Sequence, residues 1–188
     1  ASIDDLRSRL GQSPKAAHSP EYVAKMMHPL PESKTVDRAQ FILKHVTGKR
    51  VLEFGASGPM HEAVVKAATH VYGVDRNDGP GIVGFDLDDV SQSGFPAPSP
   101  TGLMEYVYDL ILCGEVLEHL SNPGWFLTRL KRQYPGVPVL ITVPNAFTES
   151  GLKHVRQGVE NVNRDHVAWY SFSTMRTLLK RAGYTDFW

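Results

Sequence analysis

Apolar residues recur along this chain with two alternating spacings, one typical of strands and one typical of helices. The strand-like runs, rich in β-branched residues, lie at 50–54, 70–75, 81–86, 108–113 and 137–143. The helix-like patterns lie at 35–49, 59–68 and 124–134. The last two strand-like runs are continuously apolar, which indicates strands covered on both faces. The alternation predicts an α/β fold, Rossmann-like and doubly wound, with a mostly parallel sheet.

The pattern also divides the chain into two predicted domains. Residues 1–34 are interpreted as an N-terminal helical segment followed by a Pro-punctuated connector, and residues 35–188 as the α/β domain. Thr35 is the predicted N-cap of the first helix of that domain, and Gly48 its C-terminal stop. Two segments interrupt the alternation. Residues 91–102 are rich in Pro, Ser and Gly and are predicted as a surface loop, and residues 145–166 are long and polar with weak periodicity and are predicted as a second loop.

Composition narrows the functional class. Twenty basic and twenty acidic residues give a formal net charge of zero, without the basic excess typical of nucleic-acid-binding proteins. The single cysteine, Cys113, excludes an internal disulfide and a cysteine-rich metal site. No apolar run is long enough to span a bilayer. We therefore expect a cytoplasmic protein with a small-molecule ligand, no nucleic-acid or membrane partner, and scope for a homo-oligomer.

Three carboxylates lie at or near the ends of successive predicted strands. Glu53, Asp75 and Asp86 occupy these positions, and parallel strands bring their carboxyl ends to one edge of the sheet. The first strand leads into a glycine-bearing turn, residues 55–59, of sequence GASGP. A carboxylate after the second strand is well placed to accept both hydroxyls of a ribose. The pattern favours a nucleoside site, although strand ends also carry polar residues for solubility alone.

The order of motifs resembles the class I S-adenosylmethionine-dependent methyltransferases, in their small-molecule branch. The resemblance covers about residues 35–186. It rests on VLEFGASG, VYGVD, FDLDD, YDLILCGEVLEHLSNPGWFL, VLITVPN and DHVAWYSFSTMRTLLKRAGY, in this order. The turn departs from the usual Gly-x-Gly-x-Gly, because Ser57 stands at the second glycine. Serine fits there if its φ is negative, and Pro59 suits the first turn of the following helix.

The resemblance implies S-adenosyl-L-methionine as the cofactor. Glu53 would hold its amino end, Asp75 its ribose, and Asp86 with the backbone of Leu87 its adenine. Gly55 would let the backbone approach the methionine part, and the backbone at Cys113 and Gly114 would line the sulfonium side. The cofactor-binding set predicted in this way is Glu53, Gly55, Ala56, Ser57, Asp75, Arg76, Asp86, Leu87, Cys113, Gly114 and Glu115.

Two histidines are the candidate catalytic residues. The resemblance implies methyl transfer to an oxygen or nitrogen of a small acceptor by in-line displacement, which requires a proton acceptor. His119 follows the fourth strand and His166 lies in a loop expected at the same edge, with Asp165 as its orienting neighbour. The other histidines show no metal-ligand spacing, so we predict no metal site and a metal-independent reaction.

Two alternatives stay open. A non-catalytic S-adenosylmethionine-binding domain is compatible with the altered glycine turn, whereas a nicotinamide-dependent oxidoreductase is disfavoured by the missing GxGxxG. Relatives in the resembled family end in an antiparallel hairpin, but this sequence stops at AGYTDFW. We expect part of that hairpin to be missing and a longer natural chain to exist.

Overall fold

The structure is a computed structural model that describes residues 37–92, 94–96 and 108–187. The predicted N-terminal domain, residues 1–34, lies outside the described residues. The helices of the described part are α1 (Arg38–Val46), α2 (Gly58–Ala67), α3 (Pro123–Gln133), α4 (Glu149–Arg156) and α5 (Phe172–Arg181). The strands are β1 (Arg50–Phe54), β2 (His70–Asp75), β3 (Ile82–Gly84), β4 (Leu110–Gly114) and β5 (Val139–Thr142). No helix in these ranges combines the length and apolar character needed to cross a bilayer.

The five strands form one parallel sheet in the order β3-β2-β1-β4-β5. Glu53 of β1 is in register with Gly73 of β2 on one side and Leu112 of β4 on the other. The chain order therefore reverses between β1 and β4, and ligands of open parallel sheets bind at the carboxyl ends beside such a point. The predicted Rossmann-like fold is confirmed. After α5, the described residues up to 187 form no further strand.

Both faces of the sheet are covered, as the continuous apolar runs predicted. Leu52 and Phe54 of β1 pack on one side with Phe126 of α3. Val51, which points to the opposite face, packs with Val64 of α2. These side chains are completely buried. Burying β1 on both faces makes it a rigid support for the turn that follows it.

Two local features differ from the sequence prediction. Asp37, not Thr35, is the N-cap of α1, because its carboxylate accepts a hydrogen bond of 2.9 Å from the backbone N–H of Gln40. Within the predicted loop 145–166, residues Glu149–Arg156 form α4, although none of them is buried. Its N-cap, Thr148, accepts from the N–H of Gly151 at 3.0 Å. The sequence prediction of a loop over this whole segment is therefore wrong for these eight residues, which begin at a capped position.

Candidate functional site

A cavity of about 650 Å³ opens at the carboxyl ends of the strands, on the side of the switch between β1 and β4. Its volume lies within the range typical of small-molecule sites. Most of the predicted site residues line it together. These are Glu53, Gly55, Ser57, Asp75, Arg76, Asp86, Leu87, Gly114, Glu115 and His119. The three strand-end carboxylates therefore converge on one cavity.

Three predicted residues do not line this cavity. Ala56 and Cys113 are fully buried behind it, and burial raises the pKa of the Cys113 thiol, which therefore stays protonated. His166 lies beside His119 instead, with ring centroids 4.6 Å apart and the rings nearly perpendicular. The roles assigned to the Ala56 and Cys113 backbones stay predictions.

The turn after β1 requires glycine at its first position. Gly55 has φ +78°, and a Cβ placed there would lie 2.6 Å from Cγ2 of Val116, which lines the same cavity. Ser57 has φ −149°, so the condition that its φ be negative is met. Ser57 is the N-cap of α2, but its hydroxyl accepts no hydrogen bond from the backbone N–H groups of the first turn. The hydroxyl is therefore available to a ligand. Pro59 lies in the first turn of α2, as expected.

Glu53 is held by a histidine that the sequence analysis did not assign. The Nδ1 atom of His61 lies 2.7 Å from Oε2 of Glu53, and both side chains are largely buried. Burial raises the pKa of Glu53, and the contact with His61 partly opposes this shift. Glu53 still lines the cavity, so Oε1 can receive a donor from a ligand. Glu53 lies on β1 and His61 on α2, so no local sequence pattern indicates that the two side chains are paired.

The cavity is acidic, which suits a cationic ligand. Six acidic residues line it against two arginines, and Arg38 is already paired with Glu115 at 3.1 Å. The acidic residues are Glu53, Asp75, Asp86, Asp88, Glu115 and Asp165. S-adenosylmethionine carries a sulfonium, an ammonium and a carboxylate group, so its net positive charge matches this lining, whereas a dinucleotide pyrophosphate would be repelled. The residues present therefore fit the predicted cofactor.

A cluster of three ionisable side chains borders the cavity beyond β4. Glu118 and His119 belong to a 3₁₀ turn, Leu117–His119, and His166 belongs to the loop before α5. One ligand-type atom from each lies within 4.8 Å of the others. Burial raises the pKa of Glu118. Its own backbone N–H opposes this shift, Glu115 adds repulsion, and the charges of His166 and Arg38 also oppose the shift.

Backbone hydrogen bonds join the two segments of this cluster. The N–H of Val167 donates to the carbonyl of Glu118 at 2.8 Å. Nδ1 of His119 lies 3.2 Å from the carbonyl oxygen of Asp165, and it must carry the proton because a carbonyl only accepts. Asp165 thus positions His119 through its backbone. Glu118 belongs to the EVLEHL stretch, but no local pattern indicates that its carboxylate lies within 4.8 Å of a ring nitrogen of His166, 48 positions away.

A pair of hydrogen bonds joins Asp88 and Ser121 at the predicted adenine side of the site. The Asp88 carboxylate accepts from the backbone N–H of Ser121 at 2.9 Å and from its hydroxyl at 3.1 Å. Both residues line the cavity, and neither was predicted. The FDLDD motif was the available signal, since it places Asp88 two residues after Asp86.

Solved structures share this fold at low sequence identity. A SAM-dependent methyltransferase from Archaeoglobus fulgidus aligns with TM-score 0.54 and 17% identity, over 78% of this chain and 66% of that one. The small RNA methyltransferase HEN1 aligns with TM-score 0.58 and 14% identity, over 84% and 23%. Haemonchus contortus phosphoethanolamine N-methyltransferase 2, solved in complex with S-adenosyl-L-methionine, aligns with TM-score 0.52 and 19% identity, over 79% and 37%. This chain thus spans 66% or less of the length of these proteins.

The comparison with family models is more specific. No curated protein matches the sequence. The model described as "Methyltransferase domain" matches residues 26–187, which is most of the chain. This match confirms the predicted family and, with it, S-adenosylmethionine as the cofactor. The chain belongs to the methyltransferase domain family.

Proposed function

We propose that this chain transfers a methyl group from S-adenosylmethionine to an oxygen or nitrogen of a small-molecule acceptor. The observation that carries the proposal is the convergence of Glu53, Asp75 and Asp86 on one acidic cavity that also borders His119. A cofactor site and a group able to accept a proton then share one space. When bound, the cofactor supplies a methyl group on a sulfonium, which leaves by in-line displacement.

The chain's own residues bind and orient the two reactants. Oε1 of Glu53 receives the cofactor's amino group, while His61 keeps Oε2 in place. The Asp75 carboxylate accepts the ribose hydroxyls, and Asp86 with the Leu87 backbone contacts the adenine. The wall at Gly55 lets the backbone approach the methionine part closely, because no Cβ intervenes.

His119 and His166 are the proposed proton acceptors. The hydrogen bond from Nδ1 of His119 to the Asp165 carbonyl leaves the lone pair on Nε2. His119 lines the cavity, so its Nε2 can accept the proton of an acceptor directly, and His166, whose ring lies against that of His119, is the alternative proton acceptor. Proton transfer to an imidazole in this way requires no resident metal.

The charge of the cavity supports a small acceptor. A nucleic-acid methyltransferase needs basic residues to neutralise phosphates, but acidic groups predominate here. The similar proteins include enzymes named for a small RNA and for phosphoethanolamine, so the fold is compatible with either acceptor class. The acidic lining and the balanced net charge favour the small molecule.

Cofactor binding is tested first, by calorimetry with S-adenosylhomocysteine and, separately, NAD. We expect saturable binding of the first and none of the second. Asp75→Ala should weaken binding by about 10- to 100-fold, since it removes hydrogen bonds to a charged acceptor. Glu62→Ala, on the exposed side of α2, is the control and should bind normally. NAD binding, or unchanged affinity in Asp75→Ala, would contradict the proposed site.

Catalysis is tested with a labelled methyl donor and a panel of hydroxyl and amine acceptors. His119→Ala and His166→Ala should each lower kcat by about 100-fold or more while S-adenosylhomocysteine affinity is kept. Absence of transfer to the whole panel, with intact cofactor binding, would favour a non-catalytic S-adenosylmethionine-binding domain. Unchanged kcat in both variants would refute the histidine role.

A further inference from the structure

The carboxylate of Glu118 is buried beside the cavity without a polar partner. The residue is 1% exposed, and neither Oε1 nor Oε2 makes a hydrogen bond within the described part of the chain. A carboxylate taken out of water without compensation is strongly unfavourable. Protonation, or a cation bound beside it, would remove this cost.

Two imidazoles are placed where such a cation would bind. Donor atoms of Glu118, His119 and His166 all lie within 4.8 Å of one another. Ligand distances of about 2.0–2.2 Å put the donors of a bound metal about 3–3.5 Å apart. Side-chain movements of about 1–2 Å would bring the three atoms into that range.

The surroundings have a feature common to metal-binding histidines. Such a histidine usually donates its second ring N–H to a carbonyl or carboxylate, which orients the ring and leaves the other nitrogen unprotonated. Nδ1 of His119 donates in this way to the Asp165 carbonyl. The 2.8 Å hydrogen bond from Val167 to Glu118 holds the loop of His166 against the 3₁₀ turn. The three donors are therefore held on two connected segments.

We propose that Glu118, His119 and His166 bind one divalent transition-metal ion at the edge of the methyl-transfer cavity. Two imidazoles with one carboxylate favour ions such as Zn²⁺, Fe²⁺, Co²⁺ or Mn²⁺ over Mg²⁺ and Ca²⁺, which prefer oxygen ligands. Three protein ligands leave at least one coordination position open. Because His119 lines the cavity, that position faces the space for the acceptor.

Metal binding would narrow the acceptor class, an extension that rests on the proposed methyl transfer. A metal-bound hydroxyl loses its proton more readily but keeps lone pairs on oxygen, and the proton passes to solvent. An amine bound in the same way would lose the lone pair it needs for attack. The site therefore favours a hydroxyl acceptor, and the two histidines serve as ligands instead of as the base.

The test is a Co²⁺ titration of the untagged, EDTA-stripped full chain, followed by visible absorption and calorimetry. We expect one Co²⁺ per chain and d–d bands typical of imidazole and carboxylate ligands. Glu118→Gln, His119→Ala and His166→Ala should each weaken binding by about tenfold or more. His70→Ala, at the exposed start of β2, should bind as wild type.

Circular dichroism and S-adenosylhomocysteine affinity report whether each variant is folded. Glu118 is buried, so Glu118→Gln can disturb folding. His166 lies on a loop, and Co²⁺ binding by His166→Ala then still tests the metal site. No saturable 1:1 binding, or equal affinity in wild type and all three variants, would overturn the metal site.

Methyl transfer separates this proposal from the proposed function. Activity lost with EDTA and restored by Co²⁺ or Mn²⁺ supports a metal role. EDTA-resistant activity that still requires both histidines overturns it and supports the histidine base. Ligand-dependent Co²⁺ binding without any transfer supports the metal site but contradicts the proposed enzyme.

Discussion

Gly55→Ala tests the geometry of the turn on which the cofactor assignment depends. The substitution adds one methyl group, which would lie 2.6 Å from Cγ2 of Val116 and 3.5 Å from the Gly114 carbonyl. The second distance is an ordinary contact, but the first requires Val116 to move. Val116 is 6% exposed and lines the cavity, so its displacement changes the wall facing the cofactor.

The size of the effect follows from two separate costs. Alanine at φ +78° is strained by about 1–2 kcal/mol relative to right-handed backbone. Alanine also reduces the conformational entropy of the unfolded chain, which offsets about 0.4–1 kcal/mol of this strain. Overpacking against Val116 adds about 1–3 kcal/mol. We therefore expect Gly55→Ala to lower the free energy of unfolding by about 1–5 kcal/mol, and the melting temperature by about 2–20 °C.

Gly48→Ala is the matched control. Gly48 has a similar φ of +70°, but a Cβ there would meet nothing within 4 Å. It carries the backbone strain without the clash, so we expect a loss of only about 1 kcal/mol. Urea denaturation followed by tryptophan fluorescence measures both. The difference between them isolates the contact with Val116.

The double variant Gly55→Ala/Val116→Ala examines the cause directly. Val116→Ala removes the methyl group that the new Cβ would meet, so the two changes should be coupled by about 1–3 kcal/mol in the stabilising direction. S-adenosylhomocysteine affinity should fall about tenfold or more in Gly55→Ala and recover in part in the double variant. Equal losses for Gly48→Ala and Gly55→Ala, or strict additivity in the double variant, would refute the steric argument.

Two further predictions concern ionisable pairs. Arg50 binds the Asp109 carboxylate at 2.8 and 3.1 Å and lowers its pKa from 3.8 to about 2. The folded pKa is depressed, so this stabilisation is present above about pH 4 and lost as pH falls towards 2. The stability gap between wild type and Asp109→Asn should shrink over that range in urea titrations, and a pH-independent gap would contradict the pairing. His61→Ala removes the partner of buried Glu53 and should cost about 1–3 kcal/mol at pH 8. This loss should decrease in acid, where Glu53 takes up a proton, whereas His70→Ala should show neither effect.

The periodicity of the sequence was sufficient to predict the parallel sheet and the carboxylates at one edge of the site. Glu53, Asp75 and Asp86 each end a strand-like run, and parallel strands bring such ends together whatever packs around them. Gly55 was identifiable for a similar reason, since a tight turn after a buried strand favours a residue without Cβ. Both inferences use only positions close together in the chain.

Contacts between residues that are far apart in the sequence could not be predicted from periodicity. His61 holding Glu53, and His166 meeting Glu118, depend on how a helix and a loop pack against the sheet. Helix α4 was missed because the polar segment around it was interpreted as one long loop, although Thr148 is a suitable N-cap. Side-chain orientation at such places depends on packing, which the order of residues alone does not reveal.

The sequence by itself determined the α/β alternation, the parallel sheet and the strand-end carboxylates, because hydrophobic period and strand ends are local properties. Only the tertiary structure decided that Glu118 is buried without a partner next to two imidazoles. That juxtaposition joins positions 118 and 166 through a single backbone hydrogen bond at Val167 and the packing around it. Burial and the distance between remote side chains arise when the chain folds, and they determine whether these histidines accept a proton or bind a metal.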